Sequence, residues 1–185
     1  YHFIDMDDQK IGYLESMAAC NENVHCYNDD CNDVLLNTIF PGITYKNYKR
    51  AICLLDPYGI HLNWDVVVTA GRQEVIEIFI NFPIADINRN VLRHDTENVQ
   101  QSQIDRMNAF WGDESWRDDA YTVEKTLFEP VNVKKPNMAI VAGYKKRLKE
   151  IAGFKFVVEP IPMKNTNNAD VYYLFFATNN QTGYK

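Results

Sequence analysis

Short apolar runs and amphipathic runs succeed one another along the first eighty residues, and the period of the pattern changes at each boundary. "YHFIDMD" (1–7) predicts a short strand ending in acids. "DQKIGYLESMAA" (8–19) puts Ile11, Leu14 and Ala18 on one helical face, with Asp7 or Asp8 as the cap. "NVHCYNDD" (23–30) predicts a second strand ending in acids, and "CNDVLLNTIF" (31–40) a short helix stopped by Pro41-Gly42. "RAICLLD" (50–56) is apolar throughout, as a strand buried on both faces would be. "NWDVVVTAGRQ" (63–73) predicts a helix that three consecutive valines weaken, and "EVIEIFINFP" (74–83) a fourth strand.

Residues 85–121 break the rhythm. They are polar, helical in pattern and carry Trp111 and Trp116 in "FWGDESWRDD". No strand is expected for about 70 residues, so this segment reads as a helical insertion or lid. "NMAIVAGYKKRLKEI" (137–151) predicts a helix closed by Gly153. "FKFVVEPIPM" and "DVYYLFFATN" then read as two strands joined by the turn-rich "KNTNNA", with Pro160 and Pro162 twisting the first or holding it at an edge. Strands alternating with helices, closed by such a pair, predict an α/β fold. Its sheet would be mostly parallel, with helices on both faces and a C-terminal antiparallel hairpin. Residues 1–185 are expected to form a single domain of this kind.

Composition narrows the classes. The 46% hydrophobic and 24% charged content are those of a globular protein, and no apolar run approaches the ~18 residues of a membrane span. A net charge of −6 gives no global attraction to nucleic acid or anionic lipid. Local basic clusters at Lys46, Lys49 and Arg50, and at Lys145, Lys146, Arg147 and Lys149, read as solvated faces. Cys20, Cys26, Cys31 and Cys53 form no Cys-x-x-Cys pair and no zinc pattern, so no metal is expected. Cys26 and Cys53 fall in expected core strands, and reduced, buried thiols in a cytoplasmic protein are the reading they favour.

The chemistry lies at the strand ends. In open α/β sheets, ligands sit beyond the carboxyl ends of the strands. The first three strands end in Asp5, in Asp29-Asp30 and in Asp56, which would converge along one rim. Asp5 suits the acceptor of ribose hydroxyls, or equally a helix cap. Asp30 suits an acceptor for an adenine amino group, or a turn residue. Asp56-Pro57-Tyr58-Gly59 is the most specific stretch. It reads either as a turn, with Asp56 capping the next helix, or as a pocket floor. In the second case the Asp56 carboxylate and Pro57 carbonyl hold an amine while the Tyr58 ring stacks on its carrier.

The ordered set "FIDMD", "CYNDDCNDVL", "LLDPYG" and a terminal strand pair is similar to the class I S-adenosylmethionine methyltransferases, whose Rossmann-like sheet closes with an antiparallel hairpin. More closely, the chain resembles the three-Cys-motif partner family. The resemblance rests on Phe3-Ile4-Asp5, Asp30-Cys31-Asn32, Asp56-Pro57-Tyr58-Gly59, Phe82-Pro83 with Asn88-Arg89, Tyr144 to Leu148, and Tyr172 to Thr178, and so spans nearly the whole chain. It implies S-adenosylmethionine as cofactor, with Asp5 at its ribose and Asp30 and Cys31 near adenine. It places Asp56, Pro57 and Tyr58 at the methyl and acceptor, with Tyr58 and Gly59 lining the acceptor's place. A partner protein carrying the three-cysteine motif is implied by the family name. The family's first strand and Gly-rich cofactor turn are not found within these residues; a sheet without them would expose two edges, so they are expected ahead of Tyr1, or else the chain does not bind the cofactor as the family does.

The expected function is therefore N-methylation of an exocyclic base amine in DNA or RNA, with Arg89 meeting a phosphate or serving as an ordinary surface arginine. The alternative is a non-catalytic interaction module acting through the three-Cys-motif partner. A nucleotide-dependent enzyme of other chemistry has less in its favour, because no Walker-type turn is present.

Overall fold

The computed structural model describes residues 1–19, 21–92, 99–125 and 130–184. The chain divides into two compact units, Tyr1–Lys49 and Arg50–Lys185. Cys20 lies outside the described residues, as do residues 93–98 of the expected lid.

In the first unit, β1 (His2–Ile4) pairs in parallel with β2 (His25–Tyr27), and α1 (Asp8–Ala18) connects them. Asp7 is the α1 cap, as its position predicts: its Oδ1 accepts the N–H of Gln9 at 2.9 Å and of Lys10 at 3.4 Å. After β2, Asp30 caps α2 (Cys31–Asp33) through the Asn32 N–H at 2.7 Å. The expected plain helix over 31–40 is not what forms. The chain widens into a π-helical segment, Val34–Ile39, and then tightens into a 3₁₀ turn, Phe40–Gly42, which takes Pro41 within it. The wider turn lets Val34, Leu35 and Ile39 all be buried.

The second unit is built on a five-stranded sheet. β3 (Ala51–Leu55) pairs in parallel with β4 (Ile76–Phe82), across α3 (Trp64–Gln73). The long β9 (Asp170–Thr178) enters antiparallel between β4 and β7 (Phe156–Val157). β8 (Ile161–Lys164) also pairs antiparallel with β9, through a bulge at Met163/Lys164. Pro160 thus separates the expected single strand over 154–163 into β7 and β8, because proline cannot donate to a ladder.

Three expectations need correction. The sheets are mixed rather than mostly parallel: among the described residues, β1–β2 and β3–β4 run parallel and the other four pairings are antiparallel. β3 is not buried on both faces. It stands at the edge of its sheet and leaves Ile52 65% and Leu54 75% exposed. The long stretch without a strand is also interrupted, by a hairpin of β5 (Tyr121–Lys125) and β6 (Pro130–Lys134). Its exposed Val123 and Val131 give it little apolar signature.

α3 forms despite its valines because Val66 and Val67 are fully buried, and burial outweighs the small propensity cost of β-branching. After β4 come α4 (Ile84–Asn90), α5 (Gln101–Trp111) and α6 (Trp116–Ala120). The latter two were expected as part of a lid, but they carry core: Met107, Phe110, Trp111 and Trp116 are buried. Their indole N–H groups are satisfied locally, Trp111 by Ser115 Oγ at 3.1 Å and Trp116 by Asn108 Oδ1 at 2.8 Å. The centre is Tyr144 on α7 (Asn137–Glu150), ringed by Trp64, Phe82, Phe110, Trp111 and Phe175 at centroid distances of 4.9–5.6 Å. Gly153, at φ 88°, follows this helix as expected. α8 (Gln181–Tyr184) ends the described chain.

Candidate functional site

The two parallel strand pairs present their carboxyl ends with different equipment. In the first unit, Asp5 follows β1 and Asp30 follows β2, so both acids stand at the same end of that pair. Asp5 does not cap α1. Its Oδ1 accepts the Asp7 N–H at 2.9 Å and its Oδ2 the Lys10 ammonium at 3.3 Å. The Asp7 N–H, helped by Lys10, holds its carboxyl below the usual carboxylate range. Asp30 is engaged as the α2 cap, the turn role the sequence allowed. Burial, with the Asp30 carboxylate beside it, pushes the Cys31 thiol up, so it stays protonated and unreactive at neutral pH. Cys26, Cys31 and Cys53 are half-buried rather than fully buried.

In the second unit, β3 runs out into Asp56-Pro57-Tyr58-Gly59 beside the end of β4. Asp56 does not cap the following helix, which begins at Trp64 with Asn63 in the cap position. The chain does bend and turn over 58–60, as one reading of the stretch expected, but the part of that reading that made Asp56 a helix cap does not hold. The Asp56 Oδ1 instead accepts the side-chain amide of Asn81, on the neighbouring strand, at 2.8 Å. Among the described residues, no donor bonds its second oxygen and no backbone N–H bonds the Pro57 carbonyl. The Tyr58 ring is 91% exposed, with the exposed His61 ring tilted against it at 6.3 Å.

The floor of this loop is set by α4. Gly59 lies at φ 60°, and a Cβ there would stand 2.8 Å from Asp86 Oδ2. Asp86 is itself held by the Asn90 amide at 2.8 Å. The glycine is favoured by its left-handed conformation, and a side chain there would also have to displace the Asp86 carboxylate. Arg89 is exposed on the same helix. The loop therefore offers two acceptor atoms beside an open aromatic face, at the carboxyl end of a parallel strand pair. That set suits a hydrogen-bond donor carried on a flat ring.

Asn81 and Asp86 were missed by sequence reasoning. A polar residue near the end of the apolar run "EIFINFP" was the available signal for Asn81; Asp86 carried none, because its contact is with a residue 27 positions away.

The basic face over 145–149 also differs from expectation. Arg147 is buried, with its guanidinium on Asp113 Oδ2 and Ser115 Oγ, both at 2.9 Å, and over the rings of Trp64 and Trp111. Lys145 is paired with Glu159. Among the described residues no group of three or more His, Cys, Asp or Glu side chains is placed to hold a metal ion, and no helix is long and apolar enough to cross a membrane.

No family model, curated protein or solved structure matches this chain.

Proposed function

We propose that this protein is an S-adenosylmethionine-dependent methyltransferase acting on the exocyclic amine of a nucleic-acid base. The observation that carries the reading is the Asp56–Gly59 loop, with its carboxylate held by Asn81 and not spent on a helix cap. The strand order β3-β4-β9-β7, with β9 antiparallel, supports it, as does the resemblance in the sequence.

Each side chain has a stated task. Asp56 and the Pro57 carbonyl accept the two N–H bonds of the amine, which leaves its nitrogen lone pair aimed away from them. Asn81 fixes the Asp56 carboxylate, and Tyr58 stacks on the base. An aryl amine is a weak nucleophile, so orientation is the main contribution the loop can make. Asp5 fits the ribose of the cofactor, because its carboxyl is held ionised and its Lys10 contact is an exposed one that can swing aside. Asp30 fits less well, since one oxygen is committed to the Asn32 N–H. The bound cofactor supplies an electrophilic methyl group. Arg89 is assigned to a substrate phosphate.

The test is Asp56→Ala, melted and then assayed for transfer of labelled methyl from S-adenosylmethionine into DNA and RNA. Folding should be nearly unchanged, because no helix loses its cap, while transfer falls at least a hundredfold. A variant that transfers at the wild-type rate defeats the reading.

The exposed Ile52 and Leu54 on the β3 edge favour the second reading, an interaction module joined to a three-Cys-motif protein. Calorimetry with S-adenosylmethionine separates the two: no binding by the wild-type protein supports the module.

A further inference from the structure

Lys134, at the end of β6, does not extend its ammonium to a carboxylate. Nζ donates to Asn88 Oδ1 on α4 at 2.6 Å, in a half-buried position. The same Asn88 side chain also donates through Nδ2, to Asn137 Oδ1 at 3.0 Å. Among the described residues, no acid forms an ion pair with Lys134. A lysine in this setting ordinarily turns its head to water or to an acid. This one is held by a neutral amide that returns no charge.

An inventory of what remains gives the sign of the missing partner. Lys134 keeps two N–H donors. Asn137, having spent its Oδ1 on Asn88, keeps its Nδ2 donors. Asn88 keeps no unused polar group apart from its second N–H and a second lone pair. Among the described residues, the cluster therefore offers mainly donors and one positive charge with no carboxylate bonded to it. A metal ion or an amine finds little to bind there, whereas an oxyanion finds both charge and hydrogen bonds. Burial lowers the affinity of Lys134 for its proton, and an anion beside the ammonium would offset that effect.

We infer that Lys134, Asn88 and Asn137 form a binding site for a phosphate group. The residues come from three separate elements, β6, α4 and α7, so the donors meet only in the folded chain. The site shares α4 with the Asp56–Gly59 loop, since Asp86 and Asn88 are two residues apart on a helix only about 10 Å long. A phosphodiester chain running past the loop and a free phosphate would be recognised by the same groups.

The site is tested by NMR titration of the labelled protein with inorganic phosphate, following the side-chain amide signals of Asn88 and Asn137. Saturable shifts are expected, weakened at least tenfold in Lys134→Met. Asn137→Asp provides an independent variant: it brings a negative charge and takes away the Nδ2 donors, so it should remove the phosphate response. Shifts in Lys134→Met equal to wild type overturn the site, as do equal shifts from chloride at matched ionic strength. If Lys134→Met does not fold, a full phosphate response in Asn137→Asp overturns it alone. A parallel titration with a short single-stranded oligodeoxynucleotide, at equal phosphate concentration, distinguishes the sources. Binding at least tenfold tighter that depends on Lys134 identifies a phosphodiester, and equal binding a free phosphate. These readouts require no methyl transfer, so the site stands or falls separately from the proposed reaction.

Discussion

Replacing Gly59 by alanine asks whether the Asp56–Gly59 loop is a fixed floor or an ordinary turn. Two costs can be worked from the geometry. The residue sits at φ 60°, where a side chain costs roughly 1–2 kcal/mol relative to glycine. The new Cβ would also stand 2.8 Å from Asp86 Oδ2, closer than real Cβ atoms come to their neighbours. Asp86 must move, and in moving it strains or breaks the 2.8 Å hydrogen bond from Asn90, worth about 1 kcal/mol. The sum is about 2–3 kcal/mol, or roughly 4–12 °C in melting temperature for a chain of this size. Urea unfolding measures the first figure and calorimetric melting the second. The two costs separate by substitution. Gly59→Asn keeps the clash but tolerates the left-handed backbone, so it should cost about half as much. In an Asp86→Ala background, Gly59→Ala should lose only its backbone share. A cost below about 0.5 kcal/mol for Gly59→Ala, or an equal cost with and without Asp86, would refute the close approach and with it the rigid floor.

Tyr144→Phe should stabilise the protein by about 1–3 kcal/mol, because the buried Tyr144 hydroxyl has no hydrogen-bond partner among the described residues while its ring keeps every contact; a lower melting temperature in the variant would show that the hydroxyl is satisfied. Asp113 governs part of the acid response. Burial raises its carboxyl, but the Ser115 hydroxyl and N–H and the Arg147 guanidinium outweigh this and hold it below the usual range. Its stabilisation is therefore complete above its unfolded pKa of about 3.9 and is lost as pH falls through the lower folded value. Wild-type stability should decline more steeply with acid below about pH 4 than that of Asp113→Asn, and parallel profiles would count against the Arg147 pair.

Much of this arrangement could be read along the chain. Amphipathic period and a capping acid located α1, and the apolar runs located β3, β4 and β9. Each depends on residues a few positions apart, which is the range over which backbone geometry repeats. The hairpin β5–β6 escaped because Val123 and Val131 face outward and Val133 is only half-buried, so the pattern that marks a half-buried strand was weak. The wide turn over Val34–Ile39 escaped because it differs from a helix by one hydrogen-bond register, which apolar spacing does not distinguish.

The candidate site divides in the same way. Sequence alone determined that a carboxylate, a proline, an aromatic ring and a glycine leave the end of an apolar strand, and their order already defined which atoms are acceptors. Only the tertiary structure decided that Asp56 is held by Asn81 from the next strand, that Gly59 rests against Asp86, and that Arg147 belongs to the core rather than to a basic surface. These contacts join residues 25, 27 and 34 positions apart. No local preference encodes them, because a side chain's partner across such distances is chosen by how strands register and helices pack, and that choice is made by the chain as a whole.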